Sequence, residues 1–231
     1  MRIVWGLVAA LAVMIWGFWP SFFSNPAQND LLHTVHGTLA TGWMLILILQ
    51  AWLMAKGHVR IHHWVGRLSV LWAAALLVSA VMIMRYGLRA TGDASLPLSW
   101  RPVLTWLDII SLAMFVGLYI AGIVCAFRRK IDLHYRFMIS TVIVIFSPAL
   151  GRLLVHIVPG MHGLMPALHP TYLILEAVCV ALIVYDYVVY KRTWLPYWLA
   201  LISQVVMEWT MFQAPHIPAF MDFLYGVGLP R

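Results

Sequence analysis

The chain has 231 residues, 63% hydrophobic and 10% charged, with a mean hydropathy of +0.89 and a net charge of +7. Soluble domains carry about 25% charged residues, so this composition excludes a water-soluble globular domain and points to lipid as the solvent. The positive balance does not indicate nucleic acid, because the basic residues fall between apolar runs, as in membrane proteins.

The first apolar run covers roughly 3–20. It is long for a signal-peptide core, carries Trp5, Trp16 and Trp19, and lacks a small-x-small cleavage site, so it reads as a retained helix. The second and third runs, 31–55 and 62–86, cross and return, joined by a short basic loop. Histidines mark the start of each: His33-Thr34-Val35-His36-Gly37 opens the first of these helices, and His62-His63-Trp64-Val65-Gly66-Arg67 opens the second. Further runs at 103–127, 134–157, 171–190 and 194–213 bring the total to seven, each long enough or nearly so for a hydrocarbon layer of about 30 Å. The connection 87–102 holds Gly87, Gly92, Asp93 and Pro97 and reads as a loop over one mouth. The connection 158–170 is rich in Pro and Gly, and the tail after Phe212 reads as a surface segment.

The expected architecture is an all-α, polytopic transmembrane bundle of about seven helices, a single integral domain over 1–231, multi-pass in the bacterial inner membrane. No helix is visibly broken at its centre, which argues against a secondary transporter. With the N-terminus inside, inner segments hold Arg2, Lys56, Arg60, Arg128, Arg129, Lys130, Lys191 and Arg192, while outer ones hold Arg89, Arg101 and Arg231. Eight against three places the N-terminus in and the C-terminus out. Trp5, Trp19, Trp52, Trp64, Trp100 and Trp194 lie near helix ends, as an interfacial aromatic belt requires. Cys125 and Cys179 both fall in apolar helices and read as buried small hydrophobes.

Polar residues inside the runs sort by depth. His36, Asp108, Arg152, Glu176 and Glu208 lie about 8 Å below the outer boundary, counting 1.5 Å per residue. His156 is one turn beyond Arg152 on the same face. Intramembrane ionisable groups are expensive and commonly line a cavity, so this layer is a candidate site. The competing reading is structural, with Arg152 neutralising Asp108 or Glu176. The inner layer holds Gln50, His62, His63, Arg67, His134, Arg136 and Asp186. Gln50 falls within about 40° of the face of His36, and His156 within about 40° of that of His134, so these faces are expected to line the bundle interior.

A haem between helices needs two imidazoles at one depth. His63 with His134 meets that requirement on the inner side, and His36 with His156 meets it less well on the outer. His63 is expected to turn inward and His62 outward, since helical neighbours point about 100° apart. Arg67 and Arg136 are candidate partners for haem propionates. A zinc or copper site would draw on His33, His36, Asp108, His156 and Glu176. Signatures of hydrolytic triads, phosphate loops and zinc proteases are absent from the sequence.

His36 opening a helix that ends near Gln50, the segment His63-Trp64-Val65-Gly66-Arg67, the segment His134-Tyr135-Arg136-Phe137-Met138 and the later Arg152 together resemble a family of bacterial membrane proteins, number 2306 among the domains of unknown function. The resemblance covers residues 31–157; the last two helices and Glu176 look less like it. It implies a membrane bundle and no particular activity. The arrangement of histidines on both sides also looks like that of cytochrome b-561 proteins, an architectural likeness without a shared motif.

The leading expectation is a b-type haem electron-transfer protein. Its cofactor residues would be His63, His134, Arg67 and Arg136, with His36 and His156 as a second pair and a quinone or other redox partner. The alternative is an acid–base or metal-dependent enzyme acting on a lipidic or isoprenoid substrate, with His36, Asp108, Arg152 and Glu176 as catalytic groups. A third is a structural membrane subunit. Membrane lipids are partners in every case.

Overall fold

The computed structural model describes residues 1–90 and 97–230. Gly92 and Asp93 of the expected mouth loop, and Arg231 of the charge balance, lie outside the described residues. Every element among them is helical: α1 (Arg2–Phe18), α2 (Leu31–Ala55), α3 (Val59–Arg89), α4 (Arg101–Phe127), α5 (Ile131–Val144), α6 (Ser147–Ile157), α7 (Leu164–Tyr190), α8 (Leu195–Thr210) and α9 (Pro218–Val227), with a π-turn at Trp19–Phe23. Among the described residues five helices are long and apolar enough to cross a membrane: α1 with its π-turn, α2, α3, α4 and α7. The bent pair α5–α6 makes a sixth if it counts as one span. The expected seventh span is α8, whose 16 residues fall short of the ~20 that a straight span needs. Large apolar side chains face outward, among them Phe127, Leu71 and Trp209 at 85%, 72% and 72% exposure, as lipid solvation allows.

The run 134–157 is not continuous, contrary to the expectation of unbroken helices. Its axis turns by 49° between α5 and α6. Pro148, in the first turn of α6, has no N–H to return to the Val144 carbonyl, and its ring would collide with that carbonyl in a straight helix. The chain tightens instead: Ile145 N–H donates to Val142 O (3.2 Å) and Phe146 N–H to Ile143 O (3.3 Å) before α6 starts. The shared face inferred for His134 and His156 assumed a straight helix, so it does not survive the break.

The chain divides into two compact units, Met1–Met84 and Arg85–Arg231. In the first, α2 buries Trp43, Met44, Leu47 and Leu53, while α3 buries Ser69, Ala73, Leu76 and Ser79 at helical spacing. Small residues let these helices approach closely. A Cβ on Gly42 would enter the Trp72 ring, and the Trp72 indole N–H donates to Leu39 O at 2.8 Å. Asp30 caps α2, accepting the His33 backbone N–H at 2.8 Å.

In the second unit α4 packs on α5 and α8, α7 on α6 and α8, and α5 on α8. Val103, Leu107, Leu168, Tyr172, Met207 and Met211 form its core. A smaller cluster of Leu88, Ala214, Phe220, Leu224 and Leu229 holds α9 in place. Arg89 ties α9 further by donating from Nε and Nη2 to Val227 O at 3.1 and 3.0 Å. Cys125 and Cys179 are both buried and free.

Candidate functional site

The chemistry of the second unit is gathered on one stripe of α7. His169, Tyr172, Glu176, Cys179, Ile183 and Asp186 follow one another at alternating spacings of three and four, which places them on a single helical face. The stripe runs about 26 Å along the axis, close to the thickness of the hydrocarbon layer. Five of its six members are polar or ionisable, on a helix otherwise apolar enough to span a membrane.

At one end Asp186 meets Arg136 of α5. The guanidinium donates to the carboxylate from Nε (2.7 Å) and Nη2 (2.6 Å), and from Nη1 to Asp132 O at 2.8 Å. Trp194 covers it, 3.5 Å from ring centroid to guanidinium carbon, with Tyr135 and Tyr190 at 4.4 and 5.2 Å. This is a planar fork matched to a carboxylate inside an aromatic cage. Arg136 is 0% exposed, so it has no surface to offer a haem propionate. Trp194, expected in an interfacial belt, is buried as the lid of this cage.

Midway along, α8 meets the break between α5 and α6. Gln204 directs its amide nitrogen at Ile143 O, 3.5 Å away. Gln204 Oε1 and Ser140 Oγ are both buried without a hydrogen-bond partner. Just beyond the break the Tyr172 hydroxyl donates to Ser147 Oγ at 3.3 Å, and Ser111 donates to Met207 Sδ at 3.3 Å.

At the other end the Glu176 carboxyl faces that of Glu208 on α8. Glu208 Oε1 is bonded to His169 Nδ1 at 3.1 Å, and the exposed His169 ring leans on Phe212. Asp108 interacts by charge with Arg152 and with the Tyr172 hydroxyl. Arg152 also donates from Nη1 to Pro148 O at 3.0 Å. Of the outer layer read from depth, four members therefore fall in this unit as two pairs, Asp108–Arg152 and Glu176–Glu208. His156 is exposed. Depth counting grouped the residues by level and missed Tyr172, Gln204, Ser140 and the Glu208–His169 contact; the alternating spacing on α7 was the signal that carried the stripe.

His134 sits where α5 crosses α4. Its Nδ1–H donates to Gly122 O at 2.9 Å, and the missing Cβ of Gly122 makes room for Met138 and Phe137.

The first unit holds His33, His36, His62, His63 and Arg67. His36 Nδ1 lies 3.0 Å from Ser79 Oγ. Ser79 already donates its one hydroxyl hydrogen to Leu76 O at 2.8 Å, so it accepts from His36. The proton of neutral His36 therefore sits on Nδ1 and the lone pair on Nε2. His33 Nδ1 is held at 2.7 Å by Asp30.

His62 and His63 reverse the expected orientation: His63 is exposed and His62 half-buried. The reason is the contact of α2 with α3. Gln50 donates to His62 O at 3.1 Å and packs on the bare Gly66, which puts positions 62, 66, 69, 73 and 76 on the buried face and turns position 63 away. Arg67 is exposed, 5.9 Å over the Trp64 ring.

Within neither unit do three His, Cys, Asp or Glu side chains among the described residues gather closely enough to hold a metal ion. No protein-family model, curated protein or solved structure matches the chain.

Proposed function

We propose that this is a multi-pass inner-membrane protein whose second unit moves protons along the polar stripe of α7. The N-terminus lies inside and the C-terminus outside, on the balance of basic residues, and α8 completes a seven-helix count. His169 is then the outer mouth, and Asp186 with Arg136 the inner end. The reading rests on one observation: five polar or ionisable side chains share one face along about two-thirds of a membrane helix. Intramembrane acids and histidines in series are the usual material of proton relays. Glu176 and Glu208 face each other, and facing carboxyls can hold one proton between them. His169, exposed and bonded to Glu208, can load that pair from water. Tyr172 and Ser147 extend the hydroxyl path toward the break.

Protein reconstituted in liposomes with an internal pH dye tests this. An imposed potential should drive proton influx, and Glu176→Gln should slow it by about tenfold or more. Wild-type liposomes no leakier than empty ones would end the proposal, as would a Glu176→Gln variant that conducts normally.

A second reading, a b-type haem protein passing electrons to a quinone-like partner, is favoured by the tautomer of His36. Metal-binding imidazoles are commonly held through one nitrogen by a protein acceptor while the other ligates. His36 Nδ1 is held so by Ser79, and His134 Nδ1 is similarly tied to Gly122 O. A Soret band in the purified protein that is lost in His36→Ala supports this reading; a colourless protein after expression with added haem rejects it.

A further inference from the structure

The end of the second unit where α4 and α7 finish carries a cluster of charge that the proton stripe does not use. Arg128, Arg129 and Lys130 join α4 to α5, and Lys191 and Arg192 lie between α7 and α8; all five are exposed. The two connections are tied together through Arg136. Its Nη1 donates to Asp132 O beside the first, and its guanidinium carbon lies 3.5 Å from the ring centroid of Trp194 in the second, with that of Arg192 at 4.8 Å from the same ring. Among the described residues none of the five forms an ion pair, and the exposed Asp132 carboxylate turns to Arg136 at 3.8 Å.

Two of the five hold a backbone conformation that suits glycine. Arg129 and Lys191 both have a φ of 55°. Each closes its helix: Arg129 N–H donates to Ala126 O at 3.0 Å and Lys130 N–H to Cys125 O at 2.8 Å, while Lys191 N–H donates to Tyr187 O at 2.9 Å. After α2 the turn that closes α4 is made by a glycine: Gly57, at φ 77°, donates to Met54 O at 3.1 Å and His58 N–H to Leu53 O at 2.8 Å. A Cβ in this left-handed region crowds the following carbonyl, so glycine is the default there. Positive charge near the helix ends is already supplied by Arg128, Lys130 and Arg192, whose backbones lie outside that region. Cations at 129 and 191 thus carry a strain that neither helix termination nor membrane orientation requires, and strain of this kind gathers at functional positions.

We propose that this end of the second unit is a docking surface for anionic phospholipid headgroups, with Arg129 and Lys191 setting its preference for them. What surrounds the charge favours lipid over an acidic protein. Phe127 and Ile131 bracket the first connection at 85% and 56% exposure, and Tyr190 and Leu195 bracket the second at 47% and 58%. Exposed aromatic and apolar side chains directly beside cations match a layer in which acyl chains begin where phosphates end. Clusters of about four to eight Lys and Arg beside membrane helices bind anionic headgroups in this way. The surface rests on the membrane reading of these helices and not on proton movement along α7.

Purified protein reconstituted in phosphatidylcholine vesicles, with a trace of spin-labelled phosphatidylglycerol or spin-labelled phosphatidylcholine, tests the surface. Electron paramagnetic resonance reads the fraction of each label immobilised at the protein. The immobilised phosphatidylcholine reports that the helices lie in the bilayer, so a failure of the membrane reading is distinguishable from a failure of the lipid preference. Phosphatidylglycerol should be preferred at low salt, and the preference should shrink at about 1 M NaCl. Arg129→Gly combined with Lys191→Gly keeps both turns and relieves their backbones, so folding is not at risk. Its preference should fall by about twofold or more, since each cation near a charged surface contributes a factor of about five at the sites it touches. Equal association of the two lipids with the wild-type protein overturns the proposal and leaves the cations to an acidic protein partner. A preference unchanged in the double variant overturns it as well, because the remaining basic residues would then suffice.

Discussion

Arg136 and Asp186 clasp α5 to α7 through two parallel hydrogen bonds of 2.7 and 2.6 Å, with both side chains almost wholly withdrawn from solvent. In that setting, removing one partner leaves a buried charge uncompensated. Asp186→Ala should therefore destabilise the protein by roughly 3–5 kcal/mol in a reversible detergent-unfolding assay. A double replacement by apolar residues of similar volume, Arg136→Met with Asp186→Leu, should recover most of that loss. A loss under about 1 kcal/mol in Asp186→Ala would show that the pair is hydrated and not a structural clasp.

Much of the fold was legible because lipid solvation imposes long apolar helices. The limits of α2, 31–55, coincide with the run read from sequence, and α4 ends at the same residue, Phe127. The break in 134–157 was obscured by a run that stays apolar around Pro148; proline in a membrane helix does not announce itself by a change in hydropathy. The orientation of His62 and His63 depended on a tertiary contact, Gln50 over Gly66, that no periodicity within α3 encodes. The outer acids and Arg152 were legible as a level. Their separation into Asp108–Arg152 and Glu176–Glu208 follows from the packing of α7 between α6 and α8, which depth alone does not specify.

Two glycines of α4 should respond oppositely to the same change. A Cβ on Gly122 would meet Met138 and Phe137, whereas one on Gly117 would meet nothing within 4 Å. Gly122→Ala should cost about 1–3 kcal/mol by overpacking the crossing with α5. Gly117→Ala should be neutral or stabilising by up to ~1 kcal/mol through helix propensity. Equal effects in unfolding measurements on the two variants would contradict the close α4–α5 approach.

Asp30 should make the stability of α2 depend on acid pH. The His33 backbone N–H holds its carboxyl below the usual value of 3.8, and the His33 ring adds to this against a small desolvation cost. A lowered folded-state pKa means that the ionised cap stabilises fully above the unfolded value and is lost as pH falls through the folded one. Asp30→Ala should thus cost about 1 kcal/mol near pH 6. The gap between variant and wild type should close as pH drops below about 4. A gap that stays constant down to pH 2 would mean that the carboxylate does not cap the helix.

His36 and Ser79 make a prediction about a single proton. Ser79 has one hydroxyl hydrogen and gives it to Leu76 O, so the short contact to His36 requires the imidazole to donate from Nδ1. Nitrogen NMR of the micelle-bound protein, with histidine labelled, should show His36 protonated at Nδ1 and bare at Nε2 at neutral pH. Ser79→Ala removes the acceptor, and the ring should then populate both tautomers. The consequence reaches function through any metal or haem iron bound at Nε2: losing the group that orients a ligating imidazole typically weakens binding by about 10–100-fold. Ser79→Ala should therefore lower cofactor occupancy in proportion, while leaving a cofactor-free proton relay through Glu176 intact. A wild-type spectrum with the proton on Nε2 would rule out ligation by this ring, because Nε2 would then be a donor and no ligand.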